Sequence, residues 1–277
     1  MKRLATRSPL LTYFVLAFAI SWIGWVPIAA LHLKLGSPVV VLAPFACGPT
    51  IAGIVVSGLL EGRKGISALL RRLGAWRVGL RWYIFILLNP ITLLLAGVLL
   101  RSLVQQQPVN WASAPAAAYS GAAVIGIALA ALVAGLLGGP LNEELGWRGF
   151  ALPHLQERYS PFGSSLLLGL VWSLWHLPLF YVVGMSQYGH PLLPFVASVT
   201  LTTFFLTWVN NRTGGSLLMA VLFHDFYNAV PSFFPAMPWD WWVIAVTTVA
   251  VVVMIGLNRA EWFQVGSGQR QPLSQAS

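Results

Sequence analysis

The first apolar segment of the chain, residues 10–31, has the sequence LLTYFVLAFAISWIGWVPIAAL. It carries no charged residue and reaches the length of about 20 residues that an α-helix needs to cross the hydrocarbon core of a bilayer. It is also longer than the apolar region of a signal peptide, which is about 7–15 residues. We therefore predict that this segment is a transmembrane helix.

The rest of the chain repeats this pattern. Of its 277 residues, 57% are hydrophobic and only 8% are charged, with a mean hydropathy of +0.76, whereas soluble domains carry about 25% charged residues. The sequence predicts an all-α, polytopic membrane bundle that forms a single domain over residues 1–265, with a disordered cytoplasmic tail at 266–277. The eight predicted spans are approximately 10–31, 38–60, 82–104, 115–139, 161–184, 191–210, 215–234 and 240–258.

The net charge of +9 is distributed in a way that favours a lipid partner over nucleic acid. The basic residues stand between the apolar segments, as they do in loops at an anionic membrane surface. All of them except Lys34 and Arg101 fall on one side of the predicted bundle. Since positively charged loops stay in the cytoplasm, we expect both termini to be cytoplasmic.

The segment 61–82 is too basic to span the membrane. Its leucines and isoleucine recur at helical spacing beside arginines, which is typical of an amphipathic helix on the cytoplasmic leaflet. A loop that only sets the topology explains the same residues. The sequence leaves these two interpretations open.

Three short motifs bring polar groups into the apolar segments. The first, LNEELGWR at residues 141–148, follows a Gly-Gly-Pro break and places Glu144 and Arg148 four residues apart, so that they share a helix face and can pair. Glu143 then points about 100° away and is free for other work. A helix start that simply favours acidic residues is the alternative for this motif.

The second and third motifs contain histidines. His176 lies in VWSLWHLP at residues 171–178, with Trp172 one turn earlier, and His224 and Asn228 share a face in FHDFYN at residues 223–228. Histidine and asparagine can also serve only as packing or interhelical hydrogen-bonding residues. Polar groups at membrane depth are nonetheless costly and commonly functional.

Together these residues suggest a hydrolytic site that faces the cytoplasmic side. Glu143 can act as general base toward water, and His176 can orient that water. His224 and Asn228 can donate hydrogen bonds to an oxyanion. Alternatively, Glu143, His176 and His224 can hold Zn²⁺, which often binds two histidines and a carboxylate. The single cysteine, Cys47, excludes an intrachain disulfide and a cysteine-based metal cluster.

The three motifs resemble those of the CPBP family, which includes the type II CAAX prenyl endopeptidases and bacteriocin-processing enzymes. The family pattern is Glu-Glu-x-x-x-Arg, then Phe-x-x-x-His, then His-x-x-x-Asn or Asp, on successive membrane helices. Trp172 stands here where phenylalanine is usual. The resemblance is best over residues 82–228 and implies a catalytic site formed by Glu143, His176, His224 and Asn228, supported by Glu144 and Arg148. It also implies proteolysis, by a glutamate-dependent or a metal-dependent route.

The expected substrate is a membrane-embedded or membrane-anchored peptide or protein, and the expected location is the plasma membrane of a prokaryotic cell. Two other functions remain open at this point. A proton-coupled transporter also places Glu and His at the midplane, although it would show paired broken helices in two related halves. A non-catalytic immunity or scaffold protein would retain the fold without turnover.

Overall fold

The computed structural model describes residues 2–33 and 41–265, and within these residues the chain is helical with no strand. The predicted all-α class is therefore confirmed. The predicted tail at 266–277, Lys34 and the start of the second predicted span lie outside the described residues. The α-helices are α1 (Lys2–Arg7), α2 (Pro9–Ala30), α3 (Gly48–Glu61), α4 (Arg63–Arg71), α5 (Leu80–Gln105), α6 (Ala122–Gly138), α7 (Pro140–Gly146), α8 (Leu152–Gln156), α9 (Pro161–Trp175), α10 (Leu192–Arg212), α11 (Leu217–Ala229), α12 (Trp241–Leu257) and α13 (Arg259–Phe263).

Five helical segments of the described residues are long and apolar enough to cross a membrane: Pro9–Ala30, Pro44–Glu61, Leu80–Gln105, Pro161–Tyr181 and Leu192–Arg212. The other three predicted spans contain the shorter helices α6, α11 and α12. Helix α11 has 13 residues and is about 20 Å long at 1.5 Å per residue, which is less than the hydrocarbon thickness of about 30 Å. The fold is thus a polytopic membrane bundle of unequal helices.

The aromatic core lies where α2, α9 and the π-helix Trp147–Ala151 meet. Tyr13, Trp147 and Trp175 are fully or almost fully buried, and Trp147 contacts the other two rings edge-on at centroid distances of 5.7 and 5.9 Å. Ile23 and Leu257 are 73% and 81% exposed. Large apolar side chains on the outside and polar ones inside indicate that the outer surface is solvated by lipid.

The fourth predicted span ends differently from expectation. The Gly138-Gly139-Pro140 break does end α6, and Pro140 begins α7, because proline suits the first position of a helix. The chain then stays helical through a π-helix, Trp147–Ala151, and through α8 to Gln156. The residues 140–156, expected as the start of a loop, are therefore part of the bundle.

The basic segment forms a helix, as one of its two interpretations predicts. Helix α4 follows Gly62, whose φ of +63° favours glycine. Leu69 is buried, whereas Leu70 is 43% exposed, so the helix has two distinct faces. Arg72, just beyond it, reaches into the bundle.

Close packing between helices depends on Gly146. A Cβ atom at this position would lie 2.2 Å from the Pro49 carbonyl oxygen of α3 and 2.5 Å from the Tyr13 hydroxyl oxygen of α2. Both distances are well inside van der Waals contact, so α7 can approach α2 and α3 only without a side chain here. Gly256, in α12, has open space at the same position.

We expect Gly146→Ala to lower the free energy of unfolding by about 1–3 kcal/mol, the usual cost of overpacking. Gly256→Ala is the matched control and should leave the stability unchanged or raise it slightly, since alanine favours helix. Unfolding of both purified variants in mixed micelles measures the difference. Equal stability of the two variants would contradict the packing described here.

Candidate active site

Helix α7 carries both acidic residues of the first motif, and their carboxylates have different partners. Glu144 is completely buried and its Oε1 atom accepts a hydrogen bond from Arg148 Nη1 at 2.9 Å. The same oxygen lies 2.8 Å from His224 Nδ1 of α11. The predicted pairing of Glu144 with Arg148 is formed, and the carboxylate also fixes the imidazole of the third motif.

Arg148 is buried at 0% exposure, which differs from its predicted place in a cytoplasmic loop. The helix continues past it, so its guanidinium lies inside the bundle. There it donates to Thr203 Oγ1 of α10 at 3.3 Å and lies 4.5 Å from the ring centre of Trp172 of α9. Buried charges of this kind require a partner and further hydrogen bonds, and Glu144, Thr203 and Trp172 supply them.

Glu143 points away from this ion pair, as its spacing predicts. Its Oε2 atom accepts a hydrogen bond from the indole Nε1–H of Trp172 at 2.6 Å. Trp172 stands where the family pattern has phenylalanine, and a phenyl ring has no such donor. The indole thus fixes the position of the carboxylate in this chain.

His176 follows the last residue of α9, where Pro178 prevents the helix from continuing. Its Nδ1 atom lies 3.0 Å from the Trp172 carbonyl oxygen, and its ring contacts Phe195 at a centroid distance of 5.3 Å. Donation from Nδ1–H to that carbonyl leaves Nε2 as the acceptor nitrogen of the neutral ring. His176 is therefore a fixed acceptor rather than a mobile base.

Four of the predicted residues line one cavity of about 780 Å³: Glu143, His176, His224 and Asn228. The remaining lining residues are mainly aromatic and apolar. Glu144 and Arg148 do not line it, because both have no exposed surface. The structure thus brings all six predicted residues together, four of them at the cavity and two behind it.

The predicted zinc site is not formed by these residues. Within the described residues, no group of three or more His, Cys, Asp or Glu side chains has an arrangement that could hold a metal ion. The prediction of Glu143, His176 and His224 as zinc ligands therefore has no support from the arrangement of these side chains.

Three contributors to the site were missed from the sequence, and two of them, Trp172 and Thr203, lie in the bundle. Trp172, noted in the sequence only as the counterpart of the family's phenylalanine, contacts Glu143, Arg148 and His224, the last with ring centroids 5.0 Å apart. Its position four residues before His176 was the available signal. Thr203 has no distinguishing signal in the sequence.

Arg72 is the third missed residue, and it acts outside the membrane-spanning segments. It donates to the carbonyl oxygens of Gly215, Gly149 and Arg148 at 2.7, 2.8 and 3.1 Å. Burial lowers the pKa of its guanidinium to about 10, so it remains charged at neutral pH. Two of these carbonyls belong to the π-helix Trp147–Ala151, an element that is rare and often found at functional sites. Arg72 thus ties the end of the first motif to the turn that precedes α11.

Comparison with known proteins agrees with this geometry. Residues 124–230, which include all three motifs, match the family described as "Type II CAAX prenyl endopeptidase Rce1-like". A segment of 92 residues is 40% identical to the CAAX prenyl protease 2 of Methanococcus maripaludis. That segment covers 31% of this chain and 34% of the archaeal protein, so the match spans about a third of the relative's length. The resemblance to the CPBP family, inferred from the motifs, is confirmed.

We expect Glu144→Ala to destabilise the protein and Glu143→Gln to leave its stability nearly unchanged. Glu144→Ala leaves Arg148 buried without its carboxylate, which costs about 3–5 kcal/mol. Glu143→Gln keeps an acceptor for the indole of Trp172 and should unfold close to the parent. Denaturant unfolding of both variants in mixed micelles measures this difference, and a larger loss for Glu143→Gln than for Glu144→Ala would refute the division of roles.

Proposed function

We propose that this protein is an intramembrane endopeptidase that hydrolyses peptide bonds in membrane-associated peptides or proteins. The observation that carries the proposal is the shared cavity: a carboxylate, two imidazoles and a carboxamide from three separate helical segments line it. The family match supports a membrane protease, since the matching family is one of CAAX endopeptidases. The proposed location is the plasma membrane of a prokaryotic cell, with both termini in the cytoplasm.

In the proposed reaction, Glu143 is the general base. Its carboxylate removes a proton from a water molecule as the water oxygen bonds to the scissile carbonyl carbon. The tetrahedral intermediate then expels the amine, the C–N bond breaks, and Glu143 returns its proton to the amine nitrogen. The Trp172 N–H bound to one carboxylate oxygen leaves the other oxygen for the water.

The remaining cavity residues have complementary proposed roles. His176 accepts a hydrogen bond from the attacking water through Nε2, because its Nδ1 is held by the Trp172 carbonyl. His224, hydrogen-bonded to Glu144 through Nδ1, donates from Nε2 to the developing oxyanion when both of its nitrogens carry a proton. Asn228, one turn further along α11, supplies a second donor from its carboxamide. Glu144 and Arg148 position His224 and contact no substrate.

The lining of the cavity indicates the kind of substrate. Aromatic and other apolar residues form most of the wall, among them Trp25, Trp175, Phe195 and Trp239. Such a wall accepts a large apolar group next to the scissile bond. We propose an apolar, membrane-anchored peptide; whether it carries a prenyl group, as the name of the archaeal relative indicates for that protein, is decided by the assay below.

Replacing the proposed base should abolish turnover without unfolding the protein. We expect Glu143→Gln to lower the rate by about 10²–10⁴-fold, the usual contribution of a general base. The assay uses purified protein and a library of quenched fluorogenic peptides with lipid anchors, including prenylated ones.

Glu157→Gln is the matched control, because Glu157 is exposed and does not line the cavity. This variant should cleave at the parental rate. Cleavage by Glu143→Gln at that rate would rule out Glu143 as the base. A folded parent that cleaves no member of the library would contradict the proposed function itself.

Chelation provides the second test of the mechanism. Because the donor residues do not form a metal site, we expect cleavage to continue at the same rate after incubation with 1,10-phenanthroline or EDTA. The rate is measured before and after chelation on the same protein sample. A loss of cleavage that added Zn²⁺ restores would show that a metal takes part.

A further inference from the structure

The cavity-lining residues of α2, α9, α10 and α11 lie toward one side of the bundle. In α9, which begins at Pro161, they are Trp172 and Trp175, about 16–21 Å from the start at 1.5 Å per residue. In α10, which runs in the opposite direction, the lining residues Phe195, Ser198 and Thr202 lie in the first half. Because α9 and α10 run in opposite directions, the end of α9 and the start of α10 lie on the same side of the bundle, and the cavity lies there.

The remaining elements place the cavity on that same side. In α2 the lining residue is Trp25, near its end, and in α11 the lining residues lie from His224 onward. The wall is completed by the loop residues 184–188, between α9 and α10, and by 237–239, between α11 and α12. Both loops connect the helix ends just described.

The basic residues lie at the opposite helix ends. Arg7 precedes α2, Arg158 precedes α9, and Arg212 ends α10. The arginine-rich helix α4 and Arg77 precede α5 in the same way. On the cavity side, by contrast, Arg101 is paired with Asp240 at 3.8 Å. The two faces of the bundle thus differ strongly in positive charge.

Glu143 shows why the sequence alone indicates the other side. It follows the predicted span 115–139 and comes shortly before Arg148, so it was expected beside a cytoplasmic loop. The structure continues the helical path from Pro140 to Gln156 and buries Arg148. Glu143 is therefore separated from Arg158, at the start of the next span, by about 20 Å along the helix axis.

We propose that the cavity opens toward the non-cytoplasmic face of the membrane, and that its substrates are membrane-anchored peptides whose scissile bond lies on that face. The opening follows from the positive-inside rule, which retains the arginine-rich ends in the cytoplasm. The part of the proposal that concerns substrates rests on the proposed endopeptidase function; the part that concerns the opening does not.

The opening is tested by labelling single cysteines in intact cells. Cys47 is first replaced by alanine, and the matched variants Ser186→Cys and Ser67→Cys are then made. Both serines are exposed, but Ser186 lines the cavity and Ser67 lies in α4. A membrane-impermeant maleimide should label Ser186→Cys in intact cells and Ser67→Cys only after permeabilisation. Tyr188→Cys and Ala260→Cys form a second pair, should either of the first variants fail to fold.

Two results overturn the proposed opening. One is labelling of Ser186→Cys only after the membrane is permeabilised. The other is labelling of both cysteines in intact cells, since the cavity and α4 would then share a face.

Cleavage in sealed vesicles tests the substrate class separately. A lipid-anchored quenched peptide that the detergent-purified parent cleaves is added outside right-side-out and inside-out vesicles. Right-side-out vesicles should cleave at least tenfold faster, and permeabilisation should remove the difference. A faster rate in inside-out vesicles overturns the substrate proposal. Absence of cleavage in detergent instead defeats the endopeptidase function, and the labelling result still decides where the cavity opens.

Discussion

The arrangement of the site depends on one carboxylate oxygen. Glu144 Oε1 lies 2.9 Å from Arg148 Nη1 and 2.8 Å from His224 Nδ1, with no exposed surface on the acid. Removing charges from water costs several kcal/mol each, and only close, well-oriented partners compensate for this cost. The pairing therefore fixes the angle of α7 against α11, and with it the separation of Glu143 from the imidazole that shares its cavity.

Trp172 complements this pairing by linking the partners of Glu144 to Glu143 and His176. Its indole nitrogen binds Glu143, its face lies over Arg148, its edge approaches His224, and its carbonyl oxygen accepts from His176. A single rigid side chain thus contacts both the charged pair and the cavity groups. Chemistry that needs polar groups within hydrogen-bonding reach of one another benefits from such rigidity, because packed aromatic rings have few rotamers to populate.

Local spacing made much of this site predictable. The four-residue separation of Glu144 and Arg148, the break at Gly139, and the shared face of His224 and Asn228 all follow from helix geometry. The depth of a residue in the membrane could not be predicted in this way. The sequence around an arginine does not distinguish an arginine that ends a span from one that is buried within a span. The predicted zinc ligands show the same limit: residue types indicate a donor set, but only the tertiary arrangement decides whether its members can surround one ion.

The hydrogen bonds of Arg72 have a consequence for the biogenesis of the protein. Its acceptor at Gly215 lies 143 residues further along the chain. At a synthesis rate of about 5–20 residues per second, roughly 7–30 s pass before that acceptor exists. During this interval the six α-helices α5 to α10 are made. The contact of Arg72 with Gly215 and that of Glu144 with His224 therefore form only after α10 has been made, so that a shorter chain cannot assemble the cavity.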